Sequence, residues 1–155
     1  MANTLKQSIE QALPGLVTVV VNNAERATLS EGVDNGLYQT VLLNWYPDFY
    51  DPDNFIQPFL SCDQGSPETL CEKGASQGNG SFYFSSEAND LIKQQRAEQD
   101  LDARNAIFDT LQTKLVDEVP YIPLWQNKDY VFAQGQVEGV SIQPTQQFLL
   151  WQISK

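Results

Sequence analysis

Apolar residues in the first third of the chain alternate between helical spacing and unbroken runs. Apolar residues recur every three or four positions from position 5 to position 16, which predicts a helix, and Pro14-Gly15 should end it. The mostly β-branched run 16–21 predicts a buried strand. Residues 28–35 predict a second helix, and the apolar run 38–45 predicts a second strand. Helix, strand, helix and strand in this order predict parallel strands joined by a right-handed crossover, and therefore an α/β fold.

The rest of the chain predicts helices around a long loop, followed by short strands. Gly, Ser, Asn and Gln are abundant from Asp63 to Ser86, which is typical of a surface loop. We expect a short helix through residues 55–60 before this loop. Two amphipathic helices should follow it, at 87–99 and from Asp100 or Asp102 to Val119, with their apolar stripes in the core. The last third predicts four strands, at residues 121–125, 129–133, 137–142 and 148–153.

The charge of the chain excludes several classes of function. Nine Lys plus Arg stand against 20 Asp plus Glu, which gives a net charge of −11, and there is no His. Such an acidic chain is repelled by a phosphate backbone, so we predict no nucleic-acid partner. Without His there is no Ser-His-Asp or Cys-His catalysis and no His-ligated zinc. We therefore predict no metal and no cofactor, and carboxylate chemistry or binding without chemistry remains.

The acidic residues are concentrated in one part of the chain. Between Ala27 and Glu72 there is no Lys or Arg, whereas eight Asp and Glu residues lie there. One interpretation is a surface that attracts cations, including amines. The other is that most of these carboxylates are solvated or cap helices. Both interpretations stay open at this level.

Apolar runs and cysteines give conflicting indications of location. No apolar run approaches the ~20 residues that a membrane helix needs, so we predict no transmembrane segment. Met1 is followed by polar residues and not by a secretory leader, which taken alone favours the cytoplasm. Cys62 and Cys71 lie nine positions apart in the polar loop, a spacing that fits neither a zinc site nor a Cys-x-x-Cys motif. They are either free thiols or a disulfide, and a disulfide requires an oxidising compartment.

The segment after the second predicted strand is the strongest candidate for a site. Residues 45–54 contain four aromatic and three acidic side chains, at the edge where open α/β sheets bind ligands. A calcium loop could begin at Asp51 and Asp53, but residues 55–57 do not continue its pattern. A glycosidase would use two of the carboxylates with aromatic platforms. A carboxylate that pairs with an amine between aromatic walls agrees best with the net charge and the missing His.

The same segment carries a resemblance to a known family. Residues 44–55, Asn-Trp-Tyr-Pro-Asp-Phe-Tyr-Asp-Pro-Asp-Asn-Phe, resemble the Trp-x-x-Asp-x-x-Asp-Pro-Asp-Asn-Phe segment of family 5 extracytoplasmic solute-binding proteins. These proteins are the dipeptide and oligopeptide receptors of ABC importers. Further stretches match in the same order, so that the resemblance covers essentially the whole chain: residues 59–62, 102–119, 120–125 and 137–140.

The resemblance implies that the chain is a fragment of a two-lobed receptor. Residues 1–126 should form part of the C-terminal ligand-binding lobe of a periplasmic-binding-protein-like fold, with a small, mainly parallel sheet flanked by helices. Residues 127–155 should form a β-rich tail that returns to the other lobe in full-length relatives. The absent leader then follows from the excision, and the cytoplasmic interpretation is withdrawn.

The resemblance also implies roles for individual residues. In peptide-binding members, the aspartate three positions after the tryptophan pairs with the α-amino group of the ligand, and this position is Asp48. Trp45 would form a wall of the pocket, and Tyr46 and Phe49 are candidates to line it. The alternatives are core packing for Trp45 and a loop cap for Asp48, and we assign Asp51 to Asn54 to helix capping. Cys62 and Cys71 match the disulfide that some dipeptide-type members carry.

The implied function is the binding component of an ABC importer. It would capture short peptides by their free amino terminus, without catalysing a reaction. It would act in the periplasm or at the cell surface after removal of the leader, and it could be a lipoprotein. Its partners would be a small peptide and a membrane permease. The alternatives are an oligosaccharide receptor of the same family and, from another class, a carboxylate-pair glycoside hydrolase.

Overall fold

The computed structural model describes residues 1–155 and divides them into two compact units, Met1–Leu43 and Asn44–Lys155. The mixed α/β class is confirmed, since six helices accompany one two-stranded sheet. In chain order the elements are α1 (Ala2–Ala12), α2 (Arg26–Asp34), α3 (Asp53–Leu60), β1 (Gln64–Ser66), β2 (Leu70–Lys73), α4 (Ala75–Gly78), α5 (Ser86–Ala97) and α6 (Leu101–Glu118), followed by a short 3-10 turn at Leu150–Gln152.

Both helices of the first unit form where the apolar spacing predicts them. Helix α1 ends before Pro14-Gly15, where Gly15 has a φ of +75°. Helix α2 ends at Asp34, and Gly36 adopts the left-handed conformation that commonly closes a helix, with a φ of +64°. Glu10 of α1 accepts a hydrogen bond from the backbone N–H of Val19 at 2.9 Å. The segment after α1 is therefore held to the helix by a side chain.

The two strands predicted at residues 16–21 and 38–45 are wrong, and so is the parallel sheet built on them. Both segments are irregular, and no backbone hydrogen bonds pair them with another strand. Leu16 and Val20 are 81% and 84% exposed. A β-branched run identifies residues that suit a strand, but a strand forms only beside a partner. The one sheet in the structure is the antiparallel pair β1–β2.

The core of the second unit lies between α3, α5 and α6. Helices α5 and α6 begin as predicted, because Ser85 accepts from the N–H of Ala88 at 3.2 Å and Asp100 accepts from that of Ala103 at 2.8 Å. Helix α6 ends before Pro120. Apolar residues of the three helices meet in one cluster: Ile56, Leu60, Ala88, Ile92, Phe108 and Leu111. The expected stripe of α6 is buried only in part, because Val119 is 53% exposed whereas Phe108 is 5% exposed.

The predicted loop of residues 63–86 is more ordered than its composition indicates. It contains the β1–β2 hairpin and the short helix α4. The disulfide between Cys62 and Cys71 is confirmed, with their Cα atoms 5.7 Å apart. The backbone N–H of Cys62 donates to Asn89 of α5 at 2.9 Å, so the hairpin is tied to the helical core.

The tail after α6 is irregular at all four positions where strands are predicted. Two isolated antiparallel bridges form instead, Glu138 with Ser154 and Ile142 with Phe148. Phe132 and Trp151 are 92% and 79% exposed, so these apolar side chains make little packing contact. None of the helices is both long enough and apolar enough to cross a membrane.

The packing of α6 yields a test of the core. Leu111 is fully buried, and we expect Leu111→Ala to lower the free energy of unfolding by about 2–5 kcal/mol, because the substitution leaves a cavity. Leu101 begins the same helix and is 73% exposed, so Leu101→Ala should change it by less than about 0.5 kcal/mol. Urea unfolding followed by circular dichroism measures both, and equal effects would contradict this packing.

Candidate functional site

The candidate site segment, residues 44–54, opens the second unit and has no regular structure before α3. Trp45 is the fixed point in it. The indole Nε1 of Trp45 donates to the backbone O of Asn54 at 2.9 Å and to its Oδ1 at 3.0 Å. The Trp45 ring also meets Phe59 of α3 edge to face, with centroids 5.0 Å apart. The indole is therefore anchored to α3 and is half-buried.

Asp48 combines a held backbone with a free side chain. Its N–H donates to Asn54 Oδ1 at 3.4 Å. Its carboxylate is exposed, and the structure gives it no ion pair and no hydrogen bond. The loop-cap interpretation of Asp48 thus finds no contact to support it, and the carboxylate is open to a ligand.

Tyr46 and Phe49 lie in the same segment and expose 56% and 51% of their surface. Neither ring contacts the Trp45 ring, whose aromatic partner is Phe59. The four predicted site residues therefore lie in one loop. The exposed aromatic rings in it belong to Tyr46, before Asp48 in the chain, and to Phe49, after it.

Below this loop, Asp51 forms a forked ion pair that sequence reasoning missed. Arg104 of α6 donates through Nη1 to Asp51 Oδ2 and through Nη2 to Asp51 Oδ1, each at 2.8 Å. Asp51 Oδ1 also accepts a hydrogen bond from the backbone N–H of Asp53 at 2.9 Å. This contact at the start of α3 is the only part of the predicted helix capping that the Asp51 side chain provides. The Arg104 guanidinium holds the pKa of Asp51 below its usual value, and Asp51 raises the pKa of Arg104.

Unlike Asp51, Asp53 does not cap α3, because its side chain binds two residues of α5. It is 6% exposed, and its Oδ2 accepts from Arg96 at 2.6 and 3.0 Å. Its Oδ1 accepts from Gln95 Nε2 at 2.5 Å, and Gln95 Oε1 in turn accepts from Arg104 at 2.8 Å. We call these five residues the polar cluster: Asp51, Asp53, Gln95, Arg96 and Arg104. It corrects the capping assignment, since Pro52 occupies the N-cap position without a side-chain hydrogen bond.

An apolar groove of about 280 Å³ lies on the other side of α3. Tyr121 is part of its wall. The Tyr121 hydroxyl donates to the backbone O of Phe55 at 2.8 Å, and burial raises the pKa of Tyr121 to about 12. None of the four predicted ligand residues lines this groove, whose wall is Pro52, Phe55, Ile56, Phe108, Gln112, Leu115, Tyr121 and Pro123. No group of three or more acidic or cysteine side chains is placed to hold a metal ion.

Comparison with known proteins finds relatives that bind peptides. The chain is 27% identical over 128 residues to the probable D,D-dipeptide-binding periplasmic protein of Escherichia coli K12, covering 83% of this chain and 23% of the relative. It is 26% identical over 128 residues to di/tripeptide-binding protein 4 of Pseudomonas aeruginosa, covering 83% and 22%. It is 27% identical over 110 residues to the dipeptide-binding protein of Escherichia coli K12, covering 71% and 19%. No family model matches the chain.

These comparisons confirm the resemblance to family 5 solute-binding proteins, at low identity. The chain spans less than a quarter of the length of the relatives it matches. The names of these relatives describe dipeptide- or di/tripeptide-binding proteins, and the first is described as periplasmic. The roles of Trp45, Tyr46, Asp48 and Phe49 stay predictions.

The ion pair of Asp51 predicts a pH dependence of stability. Because the pKa of Asp51 is lower in the folded protein than in the unfolded chain, its contribution is present above about pH 4 and is lost as the pH falls further. We expect Asp51→Asn to reduce the loss of stability between about pH 4 and pH 2. Asp109→Asn removes an exposed carboxylate of α6 and is the matched control. Urea midpoints measured at each pH would contradict the assignment if the two variants followed the same curve.

Proposed function

We propose that this chain is part of the solute-binding component of an ABC importer, that it carries one half of the ligand site, and that Asp48 captures the free amino terminus of a short peptide. The observation that carries the proposal is the state of Asp48. Its carboxylate is exposed and unpaired, in a loop whose backbone and tryptophan are fixed by α3. The peptide-binding relatives and the family motif around residues 44–55 support the same assignment.

An unpaired carboxylate suits a primary ammonium in charge and in hydrogen bonding. A carboxylate accepts hydrogen bonds only, and an ammonium donates three. Their charge-assisted hydrogen bond strengthens when a second wall of the site excludes water. An N-acetylated ligand would bury the same carboxylate without a partner, which costs binding free energy. The pairing would therefore select peptides with a free amino terminus.

The exposed aromatic rings of Tyr46 and Phe49 support a ligand with apolar surface. Each ring leaves about half of its area open, and aromatic faces bind both apolar groups and cations. In the proposed function these rings contact the peptide next to its amino group, and Trp45 forms the rigid wall behind them.

The disulfide and the relatives support a location outside the cytoplasm. Disulfides such as Cys62–Cys71 persist in oxidising compartments, and the first relative above is periplasmic. A binding component of this type would deliver its peptide to a membrane permease.

The ion pairs disfavour the two alternative functions. A glycosidase would need two of Asp48, Asp51 and Asp53 as acid and base or nucleophile. Asp51 is held by Arg104 and Asp53 by Arg96, and the lowered pKa of Asp51 makes it a poor proton donor. An oligosaccharide could stack on the exposed rings, but it would leave the Asp48 carboxylate without a positive partner.

The amine pairing is tested by comparing trialanine with N-acetyl-trialanine. In the complete receptor we expect trialanine to bind about 10- to 150-fold more tightly, as a charge-assisted hydrogen bond of ~1.5–3 kcal/mol implies. Asp48→Asn should remove most of this preference, whereas Asp63→Asn, at an exposed position of the same unit, should keep it. Isothermal titration calorimetry measures the six affinities, two peptides with each of the three proteins.

Equal affinity of the unaltered receptor for the two peptides would overturn the amine-pairing role. A thermal-shift screen against cello- and xylo-oligosaccharides separates the alternatives, since stabilisation by sugars but not by peptides would favour the oligosaccharide receptor.

A further inference from the structure

The side chain of Asn54 is a shared acceptor for two parts of the candidate site. Asn54 lies in the first turn of α3 and is 4% exposed. Its Oδ1 accepts from the indole of Trp45 at 3.0 Å and from the backbone N–H of Asp48 at 3.4 Å. Its backbone O accepts from the same indole at 2.9 Å. One buried amide therefore contacts both the proposed wall and the residue that carries the proposed carboxylate.

Asn54 is itself held by the helices beneath it. Its N–H donates to the backbone O of Asp51 at 3.1 Å. The neighbouring residue Asp53 is bound by Gln95 and Arg96 of α5. The position of Asn54 Oδ1 is consequently set by the backbone of Asp51 and by the packing of α3 on α5.

The loop needs such an acceptor because residues 45–52 form neither helix nor strand. Backbone N–H groups outside regular structure require side-chain or solvent partners. Asn54 Oδ1 supplies one for Asp48 and also fixes the ring of Trp45 three residues earlier. Removing this oxygen would take away the hydrogen bond to Asp48 and one of the two hydrogen bonds of the Trp45 indole, which would then be held by the backbone O of Asn54 alone.

From these contacts we infer that Asn54 is the positioning residue of the ammonium site. It does not touch the ligand, but it fixes the backbone of Asp48 and the indole of Trp45, and it thereby sets how strongly a free amine is preferred. The preference for an amine rests on the proposed function, whereas the positioning of the turn by Asn54 does not.

The positioning is tested with Asn54→Leu, Asn54→Asp and the control Asn105→Leu. Leu has a similar shape but no acceptor, whereas Asp keeps an acceptor oxygen at a helix N-terminus that tolerates negative charge. Asn105 is an exposed residue of α6. In a ¹H–¹⁵N spectrum of the full chain we expect Asn54→Leu to shift the Trp45 indole resonance and speed its exchange with water, and Asn54→Asp and Asn105→Leu to leave the exchange slow. Trp45→Phe identifies the resonance.

Ligand selectivity supplies the second measurement. In the complete receptor, Asn54→Leu should reduce the preference for trialanine over N-acetyl-trialanine by about 10-fold, and Asn54→Asp should retain most of it. A purely structural role would lower the melting temperature without changing this ratio, so melting temperatures are measured alongside.

An unchanged indole resonance and an unchanged affinity ratio in Asn54→Leu would overturn the inference. So would fast indole exchange of Trp45 in the unaltered protein, equal to that of the exposed Trp151, a result that needs no variant to fold. If the unaltered receptor bound the two peptides equally, the proposed function would fail, and the indole exchange would still decide whether Asn54 positions the turn.

Discussion

The candidate site depends on the polar cluster beneath it. A carboxylate as buried as that of Asp53 is stable only when it is paired and fully hydrogen-bonded, and Arg96 and Gln95 meet both requirements. The forked ion pair between Arg104 and Asp51 is a second such contact, two residues earlier in the chain. Together they fix the N-terminus of α3 against α5 and α6. In the loop above, the Trp45 indole and the backbone N–H of Asp48 both bind Asn54 at that helix end.

The polar cluster also divides the acidic residues of the site into two kinds. The stretch from Ala27 to Glu72 has no cation of its own, so its carboxylates are neutralised only where a distant helix supplies one. Arg96 and Arg104 reach Asp51 and Asp53, and no cation pairs with Asp48. Asp51 and Asp53 are thus held in ion pairs within the fold, whereas Asp48 of the same segment has no such partner. The interpretation of the acidic stretch as a surface that attracts cations stays a prediction.

What the sequence predicts correctly is what local contacts determine. The helices form because apolar spacing and the caps Ser85 and Asp100 lie within a few residues of each other. The strands fail because a strand needs a partner that no local pattern specifies, and residues 16–21 and 38–45 have none. The motif locates the site loop, but it cannot reveal the contacts of Asp51 and Asp53, whose partners lie 42 to 53 residues away. Only the tertiary fold brings those charges together.

Selectivity for a free amine requires a carboxylate that does not relax when the amine is absent. A mobile Asp48 would turn toward water with an acetylated ligand, and the cost of an unpaired charge would disappear. The hydrogen bond to Asn54 would limit the backbone part of this movement, and in the proposed function it would thereby preserve part of the discrimination. Arg96 and Gln95 bind Asp53 and thereby position α3. Asn54 of α3 then binds the turn from Trp45 to Asp48. Residues that never touch the peptide would thus contribute to its recognition, because they hold the backbone of Asp48, the one aspartate among Asp48, Asp51 and Asp53 that has no cationic partner.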